Sequence, residues 1–227
     1  MAARATAAPA APGRKRTRMR LDAWLAHRAV KPALFVLCLV PFAALVAGAA
    51  LDTLGANPAE ALIRGSGDWT LRFVCLTLAV TPLRTLGGWQ AMARWRRMLG
   101  LFAFFYAGCH FLAYGWLNMG LDFGAITRDI GKRPFILVGA TALALLVALA
   151  ATSFDRAIKA LGGARWRALH RAVYAVALLG VLHFYWMRAA KNDVAEVALY
   201  AAIVAVLLGW RLRRAWRSRL SKRALAG

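Results

Sequence analysis

The chain has 227 residues, 61% of them hydrophobic, and 31 Lys+Arg against 9 Asp+Glu give it a formal charge of +22. A mean hydropathy of +0.54 excludes an ordinary soluble domain. The cations lie between long apolar runs, as a lipid bilayer requires, and form no continuous stripe, which argues against a nucleic-acid partner. Cys38, Cys75 and Cys109 each sit inside an apolar run. None belongs to a CxxC or CxxCH pattern, so zinc-ribbon chemistry and covalent c-type haem attachment are excluded on motif grounds.

Residues 1–20 are rich in Ala, Pro and Arg and read as a disordered basic tail. Residues 21–32 predict a short interfacial helix with Trp24 and His27. Six apolar runs follow, at about 33–51, 69–86, 98–118, 134–153, 169–187 and 196–210. The expected fold is therefore all-α, an integral membrane bundle of six transmembrane helices. Its expected divisions are a basic N-terminal tail (1–32), a membrane domain (33–210) and a basic C-terminal tail (211–227). Pro41 predicts a kink in the first span. That span also ends in VAGAALD, which resembles a signal-peptide cleavage site, although its length favours a retained helix. The second and sixth spans are bounded by Arg72 and Arg211, which are expected to snorkel, with Trp69 and Trp210 as interfacial anchors.

The charges test this count. Arg64, Arg128, Lys132, Arg133, Arg188 and Lys191 fall on one side of the six-span layout, and Arg72 lies inside a span. Every other Lys and Arg falls on the opposite side. The positive-inside rule then places both termini in the cytoplasm. Loops 52–68, 119–133 and 188–195 face outward, where a partner would dock. No Gly-rich nucleotide loop appears, and Gly87–Gly88 and Gly162–Gly163 read as loop punctuation. Whatever reduces the protein is expected to be another molecule.

Ionisable groups inside a span are costly and mark function. His110 lies about 18 Å along the third span from its cytoplasmic start, and His183 about 21 Å along the fifth, at 1.5 Å per residue. Both helices run outward, so the two imidazoles share one level in the outer half of the membrane. Two facing neutral imidazoles form a bis-axial site for haem iron. Tyr106, Phe111, Tyr114, Phe184 and Tyr185 supply aromatic surroundings. The competing reading is a pair of buried histidines bonded to helix carbonyls or to each other. His170 precedes His183 by 13 residues and lies near the cytoplasmic face. It could ligate a second haem, touch a flavin or quinone, or cap the surface. No matching histidine on the third span supports a second bis-histidine site. Arg94, Arg96 and Arg97 form a cationic cluster, either ordinary positive-inside charge or a seat for a flavin phosphate or haem propionate.

The segments LRFVCLTLAVTPLR, RWRRMLGLFAFFYAGCHFLAY, KRPFILVG and RWRALHRAVYAVALLGVLHFYW occur in that order. Together they resemble the MsrQ (YedZ) family, over about residues 30–210. The wider fold is similar to the ferric-reductase and NADPH-oxidase transmembrane domain. The resemblance implies haem b and FMN. It implies electrons drawn from the quinone pool or a cytoplasmic flavin reductase. These would pass to a periplasmic molybdopterin-containing methionine-sulfoxide reductase catalytic subunit that repairs oxidised proteins. The chain would then be an electron-transfer subunit of the bacterial inner membrane, with the substrate-reducing site on its partner. His110 and His183 match the family's haem ligands, and His170 its third intramembrane histidine. Arg96 and Arg97 match the arginine pair associated with FMN. The competing functions are an autonomous ferric reductase and a haem-free proton or metal transporter.

Overall fold

A computed structural model describes residues 12–189 and 194–224. Most of the predicted tail, Lys191 of the last outward loop and the final three residues lie outside the described residues. All the regular structure described is helical. The elements are α1 (Pro12–Ala26), α2 (Val30–Ala50), α3 (Pro58–Gly87), α4 (Trp95–Ala113), α5 (Phe123–Lys132), α6 (Pro134–Ala151), α7 (Asp155–Leu169), α8 (Val173–Ala189) and α9 (Ala195–Ala224). A 3-10 turn (Gln90–Arg94) leads into α4, a π turn (Tyr114–Asn118) follows it, and a 3-10 turn (His170–Ala172) leads into α8.

Five stretches are long and apolar enough to cross a membrane: Val30–Ala50, Gln90–Asn118, Pro134–Ala151, Asp155–Ala189 and Ala195–Ser221. The sixth spanning helix, α3, is too polar for that measure because Arg72 and Arg84 interrupt its apolar stretch. Yet α3 supplies much of the core, with Phe73, Val74, Leu78 and Val80 at most 3% exposed. A helix surrounded by protein need not look apolar to lipid. It packs most extensively on α4, while α6 packs on α8.

The structure extends several predicted elements. α3 begins at Pro58, well before the predicted start at 69. The Asn57 side chain accepts from the Glu60 N–H (3.1 Å) and Pro58 opens the first turn. The expected outward loop 52–68 is thus mostly helix. Two further helices, α5 and α7, fill predicted loops. Asp122 caps α5 through the Ala125 N–H (3.0 Å). Gly162, at φ 71°, breaks α7 in the middle, as a glycine can without strain. Gly88, at φ 77°, ends α3 in the left-handed conformation.

Two prolines inside spans leave backbone groups to be satisfied, and two side chains reach across to nearby positions. Pro82 has no N–H to offer Leu78, four residues earlier, and Arg211 of α9 donates to the Leu78 carbonyl instead. Arg211 also donates to Leu207 O (2.8 Å) and lies over the Tyr174 ring at 5.6 Å. It is therefore a tie between α9 and α3 rather than a snorkelling residue. Near Pro41, the Tyr106 hydroxyl enters the ladder of α2. It donates to Cys38 O (2.8 Å) and accepts from the Phe42 N–H (2.9 Å). Tyr106 is fully buried and so faces α2 instead of walling a haem. Arg72 likewise stays inside, donating to the Tyr200 hydroxyl (3.0 Å) and lying 4.6 Å over Trp69. Trp69 packs on Phe73 (5.9 Å) in the core and is not an interfacial anchor.

Arg211→Met should lower the unfolding midpoint in detergent, because it strands a carbonyl at a cost of about 1–3 kcal/mol. Arg211→Lys, which keeps a donor, should recover part of the loss. Equal midpoints for Arg211→Met and the native chain would show that the tie contributes nothing.

Candidate haem site and a second, cationic cavity

The structure brings His110 and His183 together edge-on, with ring centroids 6.1 Å apart and planes at 82°. Each ring is held in the same way. His110 Nδ1 donates to Ile63 O of α3 (2.8 Å), and His183 Nδ1 donates to Phe135 O of α6 (2.7 Å). A carbonyl only accepts, so Nδ1 carries the proton and the Nε2 lone pair is left for another partner. Neither Nε2 makes a hydrogen bond among the described residues. Tethering a ligand histidine through its other nitrogen is how proteins orient imidazoles towards metals.

Glycine makes each tether possible. The bonded carbonyl belongs in both cases to the residue four before a glycine: Ile63 before Gly67, and Phe135 before Gly139. A Cβ at Gly67 would stand 3.0 Å from His110 Nδ1, and one at Gly139 would stand 2.9 Å from His183 Cε1 and Nδ1. The missing side chain lets each imidazole lie against the neighbouring helix and reach its carbonyl.

A cavity of about 270 Å³ opens beside the two rings. Leu71, Val74, Leu143, Leu146 and Val176 line its apolar part, with Phe111, Tyr114 and Phe184 from the predicted aromatic set. Tyr185, also in that set, is 46% exposed and points elsewhere. Imidazole–metal bonds of about 2 Å put the centroids of two axial rings about 6 Å apart. The observed spacing, the free Nε2 atoms and the apolar walls fit a haem held between His110 and His183. Among the described residues no group of His, Cys, Asp and Glu is arranged for a bare metal ion.

His170 lies elsewhere. With Arg84, Arg96 and Arg97 it lines a second cavity of about 320 Å³ at the opposite end of the bundle from Arg64, Arg133 and Arg188. Its Nε2 is 3.1 Å from Thr152 Oγ1 and its ring stacks on Trp166 at 4.0 Å. Arg96 is exposed and makes no hydrogen bond or ion pair among the described residues, whereas Arg97 pairs with Asp155 (2.6 Å). Arg94 leaves the predicted cluster. It donates to Ala26 O (2.9 Å), His27 O (3.1 Å) and Leu25 O, closing the carbonyl end of α1. Arg84 was not singled out in sequence because it resembles any loop cation.

Outside the spans, the carboxylates of the α5 region have shifted acidities. Backbone N–H groups of Ala125 and Gly124 hold the Asp122 carboxyl below its ordinary range. Burial would raise Asp129, but hydrogen bonds from Tyr114 and Arg133, with the charges of Arg133 and Lys132, hold it below that range.

Residues 66–181 match the family described as ferric reductase like transmembrane component. A protein-methionine-sulfoxide reductase heme-binding subunit MsrQ from Polaromonas naphthalenivorans is 60% identical, over 90% of this chain and 94% of that protein. MsrQ proteins of the same description from Herminiimonas arsenicoxydans and Rhodospirillum rubrum are each 50% identical, over 87% and 85% of this chain and 91% of each relative. On this identity and coverage, and with a helical bundle that agrees, the chain belongs to the MsrQ family of ferric-reductase-like membrane proteins.

Proposed function

We propose that the chain is the membrane electron-transfer subunit of a protein-methionine-sulfoxide reductase system, with haem b held by His110 and His183. The observation that carries this is the pair of tethered imidazoles 6.1 Å apart, each with its Nε2 uncommitted. Haem, when bound, supplies a one-electron carrier inside the membrane. Ile63 and Phe135 fix the ring tautomers, and the apolar walls of α3, α6 and α8 would keep water from a haem held between the two histidines. The partner is a periplasmic molybdopterin-containing catalytic subunit, and the protein resides in the bacterial inner membrane with both termini cytoplasmic. Residues 33–210 form the membrane domain, flanked by the basic segments 1–32 and 211–227.

The second cavity is the seat of FMN. Arg96 and Arg97 are the phosphate-binding cations, and His170 with Trp166 forms a flat wall. Quinone or a cytoplasmic flavin reductase is the donor on that side. Haem and flavin quantification on purified protein tests the reading. Reduced b-type bands are expected in the native chain. His170→Ala should keep the haem bound by the outer pair, and Arg96→Gln should lower flavin content without lowering haem. A protein isolated without haem, and unable to take it up, would favour a proton or metal transporter. Loss of all haem in His170→Ala would overturn the pairing.

A further inference from the structure

The haem cavity is chemically graded along the membrane normal. Its inner part is formed by Val74, Leu146 and Val176 and offers no charge. Arg64 of α3, Arg133 at the start of α6 and Arg188 of α8 line its outer part, on three different helices, with Asp68 of α3 the one carboxylate among the lining side chains. Each arginine is held by a carboxylate that does not line the cavity. Glu60 pairs with Arg64, Asp129 with Arg133 (2.5 Å) and Glu196 with Arg188 (3.0 Å). Asp129 also accepts from the Tyr114 hydroxyl (2.5 Å), so one carboxylate fixes two donors that line this cavity.

Resting on the haem reading above, we infer that Arg64, Arg133 and Arg188 bind the two haem propionates and so set the macrocycle with its carboxylate edge towards the outer mouth. The opposite orientation would place two carboxylates among Val74, Leu146 and Val176, at a desolvation cost that those residues cannot offset. An arginine already paired with one carboxylate retains donors for another, since guanidinium carries five N–H groups. Glu60, Asp129 and Glu196 are positioning residues: they hold the forks at the mouth and keep each charge compensated before haem arrives. The outward carboxylate edge also brings the macrocycle's rim nearest to the face where a periplasmic partner docks.

The test compares haem with its dimethyl ester, whose propionates carry no charge. Both are added to haem-depleted full-length protein in detergent and followed by the Soret band. The native chain should retain haem better than the ester. Arg133→Gln, and the double variant Arg64→Gln/Arg133→Gln, should lose that preference. Haem should leave Arg133→Gln about tenfold faster, the effect of one lost charge-assisted hydrogen bond. The midpoint potential should fall, because a positive charge near the iron favours the added electron. Equal retention of haem and ester by the native chain would overturn the inference, as would an unchanged preference in the double variant. Failure of the haem reading looks different, because then neither compound gives a low-spin spectrum with the native chain. If Arg133→Gln folds poorly, Arg188→Gln alone gives the same comparison.

Discussion

Replacing His110 or His183 with alanine should remove most of the haem from purified protein, measured as haem per polypeptide. Either change leaves one axial nitrogen where the geometry supplies two. Each remaining imidazole would still be tethered, His183 to Phe135 O or His110 to Ile63 O. Any haem that stays bound should therefore change from a six-coordinate low-spin to a high-spin electron paramagnetic resonance signal. That spectroscopic change separates ligand loss from a general failure to fold. Native haem content with a low-spin signal in both variants would refute the ligand assignment.

The second large effect is expected at a residue that touches no cofactor. In Gly139→Ala the new methyl group would stand 2.9 Å from the His183 ring, too close for either to remain. The imidazole must then leave Phe135 O or change its tilt. Outer-shell ligand contacts typically change affinity by about 10–100-fold, so haem affinity in Gly139→Ala should fall within that range. Gly67→Ala should act similarly but more mildly, at 3.0 Å from His110. Gly108→Ala is the control: it lies two residues from His110, and its Cβ would meet nothing within 4 Å. Equal haem affinity in Gly139→Ala and Gly108→Ala would show that the close approach is incidental.

The common level of His110 and His183 was legible in sequence because rise per residue and two span starts fix height along parallel helices. The segregation of cations was legible too: Arg64, Arg133 and Arg188 gather at one cavity and Arg84, Arg96 and Arg97 at the other. Hydropathy missed the outer turns of α3, because Gly65, Ser66, Gly67 and Asp68 look like a loop until Asn57 and Pro58 are recognised as a helix start. It misjudged Arg72, Arg211 and Tyr106 for one shared reason. Their partners lie on helices remote in sequence, such as Tyr200 for Arg72 and Leu78 for Arg211. Backbone acceptors such as Ile63 O and Phe135 O carry no residue-type signature, so the tethers were invisible. Gly139 was visible inside KRPFILVG, but nothing in the string says that a ring must pass there.

The repeated tether divides the bundle into two jaws, one made of α3 and α4 and the other of α6 and α8. Each jaw orients its own imidazole using only contacts within itself. A porphyrin gripped from both sides would then act as a clasp between two preset halves, and loading would require little rearrangement of either ring. Mechanical or thermal opening of the loaded protein should therefore begin elsewhere, at helices such as α2 that touch neither jaw's histidine.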